Sequence, residues 1–149
     1  MRDIKFNGSD LHNTDFTESS LYKADFTDAN LTSTILARAK LNFSIFNRTI
    51  LDGTNFEGAS FPDAVISNLS FSGRILKQIT FVNTTFDNVS FADATLQRCT
   101  LVKINFDKCD ITNLSFQECD FEECEFAGRD LSKNTFTSCR FMGKFIKKF

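Results

Sequence analysis

The chain has 149 residues, with 17 Lys and Arg against 19 Asp and Glu, 19 Phe, one Tyr, one Pro and no Trp. That length holds one domain's core rather than two, and a net charge of −2 argues against a basic nucleic-acid binder or a charge-recruited membrane-surface binder. No apolar run reaches the ~18 residues of a bilayer span, and Met1-Arg2-Asp3-Ile4 opens without the apolar stretch of a signal peptide. The odd number of cysteines, five, points to a reducing compartment, so a cytoplasmic location is expected.

From Phe6 the chain counts in fives. Every fifth position from Phe6 to Ile146 is Phe, Leu or Ile, 29 times in succession and without a frame shift. These three types make up about 28% of the chain, so coincidence has odds of about 10⁻¹⁶. Two residues earlier runs a second track, Ile4, Ser9, Thr14, Ser19, Ala24, Ala29 and onward, mostly Ser, Thr, Ala or Cys. Arg74, Arg129, Asn134 and Lys144 break it. Five residues on an α-helix advance by about 140°, which would spread Phe around the whole cylinder. A straight strand fails as well, because an odd period points successive Phe to opposite faces. The pattern fits a short extended edge, small-in, polar-out, large-in, followed by two outward residues that turn a corner. Coils closed in this way stack, and each repeat buries its large residue only through its neighbours.

Runs such as Ala24-Asp25-Phe26-Thr27-Asp28, Ala29-Asn30-Leu31-Thr32-Ser33 and Cys119-Asp120-Phe121-Glu122-Glu123 resemble the pentapeptide-repeat motif, A(D/N)LXX with Phe allowed at the centre. The resemblance covers residues 4–148. It implies an all-β fold, a right-handed four-sided parallel β-helix of about seven coils with four repeats to the coil, as a single domain over 1–149. It also implies a non-enzymatic binding or scaffold protein acting through its surface. Members of the family similar to the quinolone-resistance and MfpA-type proteins imitate a DNA duplex and occupy the DNA groove of type II topoisomerases, which makes such an enzyme the alternative partner. Direct nucleic-acid binding and membrane binding are not expected.

With a 20-residue coil, residues 20 apart stack. Near the N-terminus, His12, the sole histidine, falls on an outward corner far from every cysteine, so no nucleophile pair forms and no catalytic residue is expected. Asp10, Asp52, Asp93, Asp110 and Asp130 share one outer face, opposed only by Lys133, and make a candidate partner surface. In mid-chain, Ile45 stacks beside Val65, a candidate apolar contact, and Val82 lies over Val102 on another face. Arg74 and Arg129, each after a Gly, sit in a slot meant for a small buried side chain, and a local bulge is expected to let each emerge.

All five cysteines fall on the inward small track, with Cys99, Cys119 and Cys139 in one column. No CxxC spacing is present, so they read as buried small hydrophobes, and no metal or cofactor is expected. Glu118, Asp120, Glu122, Glu123 and Glu125 form a second acidic cluster. The closing segment 141–149 concentrates Phe141, Phe145, Ile146 and Phe149 with three lysines. It either caps the core or pairs with a second copy, with Phe145 and Phe149 as apolar contacts, and a homodimer through this end is the expectation. Equally, the chain reads as the repeat domain of a larger bacterial protein such as a secreted effector.

Overall fold

The computed structural model describes residues 2–143. Lys144, Phe145, Phe149 and the expected C-terminal cap or dimer contact lie outside the described residues. Within them the chain is a four-sided parallel β-solenoid. One sheet joins β1 (Ile45–Asn47), β2 (Val65–Ser70), β5 (Thr85–Ser90) and β8 (Cys109–Asp110) in that order. A second joins β3 (Ile75–Lys77), β6 (Thr95–Gln97), β9 (Ser115–Gln117) and β11 (Thr135–Thr137). A third joins β4 (Thr80–Val82), β7 (Thr100–Val102), β10 (Asp120–Glu122) and β12 (Arg140–Met142). Every pairing is parallel with a register of 20 residues, Phe46 against Ile66 and Phe121 against Phe141 for example. β2 and β5 turn a corner, carrying the fourth side through Ser70, Ser90 and Asp110.

Named strands fill about five turns, from Ile45 to Met142. The coils before them keep the same 20-residue step through single bridges, Lys5 to Asp25, Asp10 to Asn30 and Ser20 to Lys40. Against the expected seven coils, the named strands make about five turns, and among the described residues no bridge joins Ile50 to Ser70 or Asn55 to Ile75.

Many repeats close the corner with a bond from the i+3 amide to the central residue's carbonyl, as Ala29 to Phe26 at 3.0 Å and Thr34 to Leu31 at 3.0 Å. The turn needs a positive φ two residues after the centre. Six glycines supply it, but so do Glu18, Arg38, Phe43, Gln78 and Arg98, all with φ between 50° and 60°. Such a conformation costs an L-residue roughly 1–2 kcal/mol, which the ladders on either side offset.

The central track fills the interior. Phe56, Phe86 and Phe116 are 4%, 3% and 0% exposed. Phe6, Phe26 and Phe46 stack along the axis at 5.1 and 4.8 Å, and Phe106 stacks on Phe126 at 4.6 Å. Rings from adjacent sides meet edge-on, Phe86 with Phe91 at 5.2 Å, so the column and its neighbours both adopt favoured aromatic geometries.

Candidate binding faces

The inward small track does more than leave room. Thr34, Thr49, Thr54 and Thr84 donate their hydroxyls to the carbonyls of Leu11, Phe26, Leu31 and Phe61, each 23 residues earlier, at 2.7–2.8 Å. Cys99, Cys119, Cys124 and Cys139 reach Leu76, Leu96, Leu101 and Phe116 across the same step, at 3.2–3.5 Å. Each acceptor is a central-track carbonyl one coil back, and those of Leu11, Phe26, Leu31 and Phe61 also close a corner. A polar group buried there is paired by geometry, and no buried side-chain nitrogen or oxygen among the described residues lacks a partner.

The three described residues that break the small track obey this rule. Arg74 donates to the Leu51 carbonyl at 2.9 Å and to that of Thr54, and its guanidinium lies 5.6 Å from the Phe56 ring. Arg129 donates to Phe106 at 3.2 Å and to Asp107, and Asn134 to Ile111 at 2.7 Å. The coils part locally beside both arginines. Arg74 keeps its corner bond to Phe71 at 3.1 Å and the ladder bond from Thr95 at 2.8 Å, but among the described residues Asn55 and Ile75 form no bridge, and the Thr54 carbonyl takes the Arg74 guanidinium instead. Asp110 and Asp130, next to Arg129, form no bridge either. Half-burial pushes the Arg74 guanidinium pKa down, but the nearby Asp52 carboxylate and the carbonyls keep the cation in place.

Outside, each face carries a different charge arrangement. On three faces, charges twenty residues apart pair along the axis: Lys5 with Asp25 at 3.5 Å, Arg38 with Glu18 at 2.8 Å, Arg48 with Asp28 at 2.7 Å and Arg98 with Glu118 at 3.1 Å. The second acidic cluster is part of this lattice. Asp120 takes a two-pronged contact from Arg140 at 2.6 and 2.7 Å, and Glu123 lies 3.9 Å from Lys103. The coil also distributes the five residues over three sides, with Glu118 beside the 115–117 strand, Asp120, Glu122 and Glu123 around the next, and Glu125 bridged to Asn105 beyond.

The remaining face differs. Asp10, Asp52, Asp93, Asp110 and Asp130 lie on it, and among the described residues none pairs with Lys or Arg. Their polar contacts are local or neutral instead. Asp110 accepts from the Thr112 amide and hydroxyl at 3.1 and 2.8 Å, Asp130 from the Ser132 amide at 2.9 Å, and Asp93 from Asn113 at 2.8 Å. Asp10 accepts from the His12 ring at 3.0 Å and from Asn30 at 3.2 Å. The Thr112 and Ser132 donors hold the Asp110 and Asp130 carboxyls below the usual range, so this face keeps its charge at neutral pH.

Apolar candidates also separate. Ile45 and Val65 pair in register, Ile45 half-buried and Val65 39% exposed. Sequence reading missed a larger feature on the side of β4, β7, β10 and β12. There Tyr22 meets Phe43 edge-on at 5.4 Å, with Arg2 and Lys23 each 5.5 Å from the Tyr22 ring. Phe43 is 44% exposed despite its positive φ. Writing the chain in rows of twenty would have placed Tyr22, Pro62, Val82 and Val102 in one column. The cysteines are all free thiols, four buried and Cys139 half-buried. Among the described residues no group of three or more His, Cys, Asp or Glu is arranged to hold a metal, and no helix is long and apolar enough to cross a membrane.

A family model for pentapeptide repeats in nine copies matches residues 81–128, and one for eight copies matches 1–32 and 34–73. No curated protein matches the chain significantly by sequence. Among solved structures, the chain is similar to HetL, a pentapeptide repeat protein involved in heterocyst differentiation regulation from the cyanobacterium Nostoc sp. strain PCC 7120, at 20% identity and a TM-score of 0.51. That match covers 93% of this chain and 63% of HetL, so the chain spans less than two thirds of that protein. A pentapeptide repeat protein of the Arabidopsis thaliana thylakoid lumen matches at 26% identity and a TM-score of 0.35, over 64% of this chain and 66% of its own. Full-length QnrB1, a plasmid-mediated fluoroquinolone resistance protein, matches at 14% identity and a TM-score of 0.35, over 95% and 90%. The repeat models cover most of the sequence, and the solenoid's 20-residue register is the geometry they describe: the chain belongs to the pentapeptide-repeat family.

Proposed function

We propose that this chain is a protein-interaction scaffold that presents the face of Asp10, Asp52, Asp93, Asp110 and Asp130 to a basic protein surface. One observation carries the reading. Seven of the fourteen carboxylates on the other faces pair with Lys or Arg, whereas none of these five does among the described residues. An acidic strip without direct ion pairs steers and orients a basic partner, and its attraction weakens with salt; Arg74, Arg129 and Lys133 offset part of its field. The ladder from Ser70 through Ser90 to Asp110 spaces this side by the coil repeat of ~4.8 Å.

The test is affinity capture with the wild-type chain and with an Asp93→Asn, Asp110→Asn, Asp130→Asn variant, which keeps the local turns and removes charge. Salt-sensitive capture by the wild type and its loss in the variant supports the reading; equal capture by both refutes it. A type II topoisomerase is the specific partner that the family resemblance suggests, because its DNA groove is a basic surface of rod-like shape. A supercoiling assay with purified gyrase examines that partner separately, and no effect at micromolar protein rejects it.

A second reading places the contact on the first face, where Val65 is exposed beside Ile45. Val65→Asp would then abolish capture while the triple Asn variant leaves it intact.

A further inference from the structure

The side built from β4, β7, β10 and β12 carries a pattern that the acidic face does not use. Its rungs run in unbroken parallel register, from Ser20 through Lys40, Ser60, Thr80, Thr100 and Asp120 to Arg140. Val82 lies at the middle. Counted outward from its rung, Pro62 stands one rung before and Val102 one rung after, both half-buried. Asp63 also stands one rung before and Lys103 one rung after. Lys40 stands two rungs before and Asp120 two after. Lys40 and Asp120, and Asp63 and Lys103, are therefore opposite charges at equal distances from Val82, whereas Lys23, Glu122, Glu123 and Arg140 have the uncharged Gly143, Asn42, Phe43 and Ser20 at their inverted positions.

We infer that this face binds a second copy of the chain, antiparallel, about a two-fold axis along the Val82 strand. Such an axis keeps a residue's place across the strand and inverts only its rung. Lys40 of one copy then meets Asp120 of the other, Asp63 meets Lys103, and Pro62 packs on Val102, each contact occurring twice as an isologous interface requires. Val82 meets its own copy at the axis. Tyr22, three rungs before, falls against Met142, three rungs after and 49% exposed. The Lys103–Glu123 contact of 3.9 Å is long enough for Lys103 to turn to Asp63 of the second copy, and Lys40 would join Asp120 and Arg140 in a three-membered ion cluster.

Seven rungs of ~4.8 Å on a side of roughly 10 Å give a footprint of about 350 Å², below the ~800 Å² per partner of a standard interface. The dimer is therefore weak and concentration-dependent. It leaves the acidic face open, so it stands independently of the function proposed above.

Sedimentation velocity of the full chain from about 10 μM to about 1 mM, a range that brackets weak association, is the test. A monomer that converts to dimer within it is expected. Val82→Arg sets two cations against each other at the axis and weakens association at least about tenfold. Lys103→Asp weakens it too, and Asp63→Lys in the same chain restores it. Circular dichroism on each variant confirms the solenoid. A monomer at every concentration overturns the proposal. So does a dimer indifferent to Val82→Arg, or one that the Asp63→Lys exchange fails to restore. Asp110→Asn, on the acidic face, changes partner capture but not self-association, which separates failure of one reading from failure of the other.

Discussion

Thr54 donates its hydroxyl to the carbonyl of Leu31, 23 residues earlier, at 2.8 Å, and one coil later Arg74 reaches the Leu51 carbonyl across the same step at 2.9 Å. The two residues share a column, and their acceptors share another. A hydroxyl and a guanidinium thus perform one structural task, supplying a second donor to a carbonyl that already closes a corner. Thr54→Val keeps the shape and deletes the donor. The Leu31 carbonyl retains its amide partner, so the loss is that of one ordinary buried bond, about 0.5–1.5 kcal/mol. Thr54→Cys, which copies the solution used at Cys99 and Cys119, costs less. Urea denaturation of the two variants orders them, and equal stability of Thr54→Val and wild type would show that the carbonyl gains nothing from its second donor.

Arg74 allows the converse experiment. Arg74→Ala removes both donors and the packing on Phe56, and an expected cost of about 1–3 kcal/mol follows from the abandoned carbonyls and the space left behind. Arg74→Thr restores the bond to Leu51 and withdraws a half-buried charge, so it should lie closer to wild type than Arg74→Ala by about 1 kcal/mol. Chemical denaturation measures the difference. If Thr proves no better than Ala, the arginine acts through its ring contact or its charge rather than as a donor.

These columns also show what the sequence could and could not convey. The five-residue period exposed the central track because Phe, Leu and Ile are its only occupants, and burial follows directly from that uniformity. The small track was legible as small. Its second property, a donor aimed at the coil below, was obscured because Thr, Cys, Asn and Arg share no size or hydropathy; a bulge at Arg74 was expected for that reason. The cluster from Glu118 to Glu125 looked like one acidic patch because it is contiguous in sequence. In space a coil turns through three sides over that stretch, and Arg98, Lys103 and Arg140, the cations that meet it, lie about twenty residues away. The corner conformation was the least visible of all. Phe43, Arg38 and Glu18 hold it without being residues that prefer it, since the ladders impose it from both sides.

Glycine at such a corner can be tested where space is not the issue. Gly73 has φ +69°, and a β-carbon placed there meets nothing within 4 Å. Gly73→Val therefore isolates the backbone cost of a branched residue in the left-handed region. A loss of about 1–2 kcal/mol is expected in thermal or urea denaturation. Gly73→Asn, tolerated better in that region, should fall between the two. A neutral Gly73→Val would mean that the coil relaxes to another turn geometry.

Acid should weaken the fold through its outward aspartates. Asp15 accepts from the Thr17 hydroxyl and amide, and Asp110 from the Thr112 amide and hydroxyl; these bonds hold both carboxyls below their ordinary range. Because the folded value is the depressed one, the stability they contribute is fully present above the unfolded pKa of about 3.9, and is lost as pH falls from there through the folded values. The melting temperature should then be flat from neutrality to about pH 5 and decline below about pH 4. Asn at the same repeat position makes the same turn, as Asn30 does with Thr32 at 3.0 and 2.6 Å. Asp15→Asn with Asp110→Asn should accordingly keep the fold and flatten the acid limb. An unchanged slope would assign acid sensitivity to other carboxylates.

The thiols offer a test of the core that needs no loss of stability. Cys99 is pushed up by its bond with Cys119 and by burial, Cys109 is pushed up to about 12 by burial, and burial raises Cys124 as well. A thiol-disulfide reagent attacks only through the thiolate, and these three groups lack both the charge and the access. Cys139 also has a raised pKa, chiefly through burial, but it alone is half-buried near the end of the described coils. The bond with Cys99 holds the Cys119 thiol pKa down instead, so its full burial alone keeps it from the reagent. At pH 8 the native protein should therefore react slowly at one site, and Cys139→Ser should silence it. In denaturant all five thiols react together, because coils that share a ladder lose it cooperatively. Reaction of Cys99 or Cys119 at the rate of Cys139 would instead mean that individual coils open on their own, and that the column of Phe rings does not hold its neighbours in register.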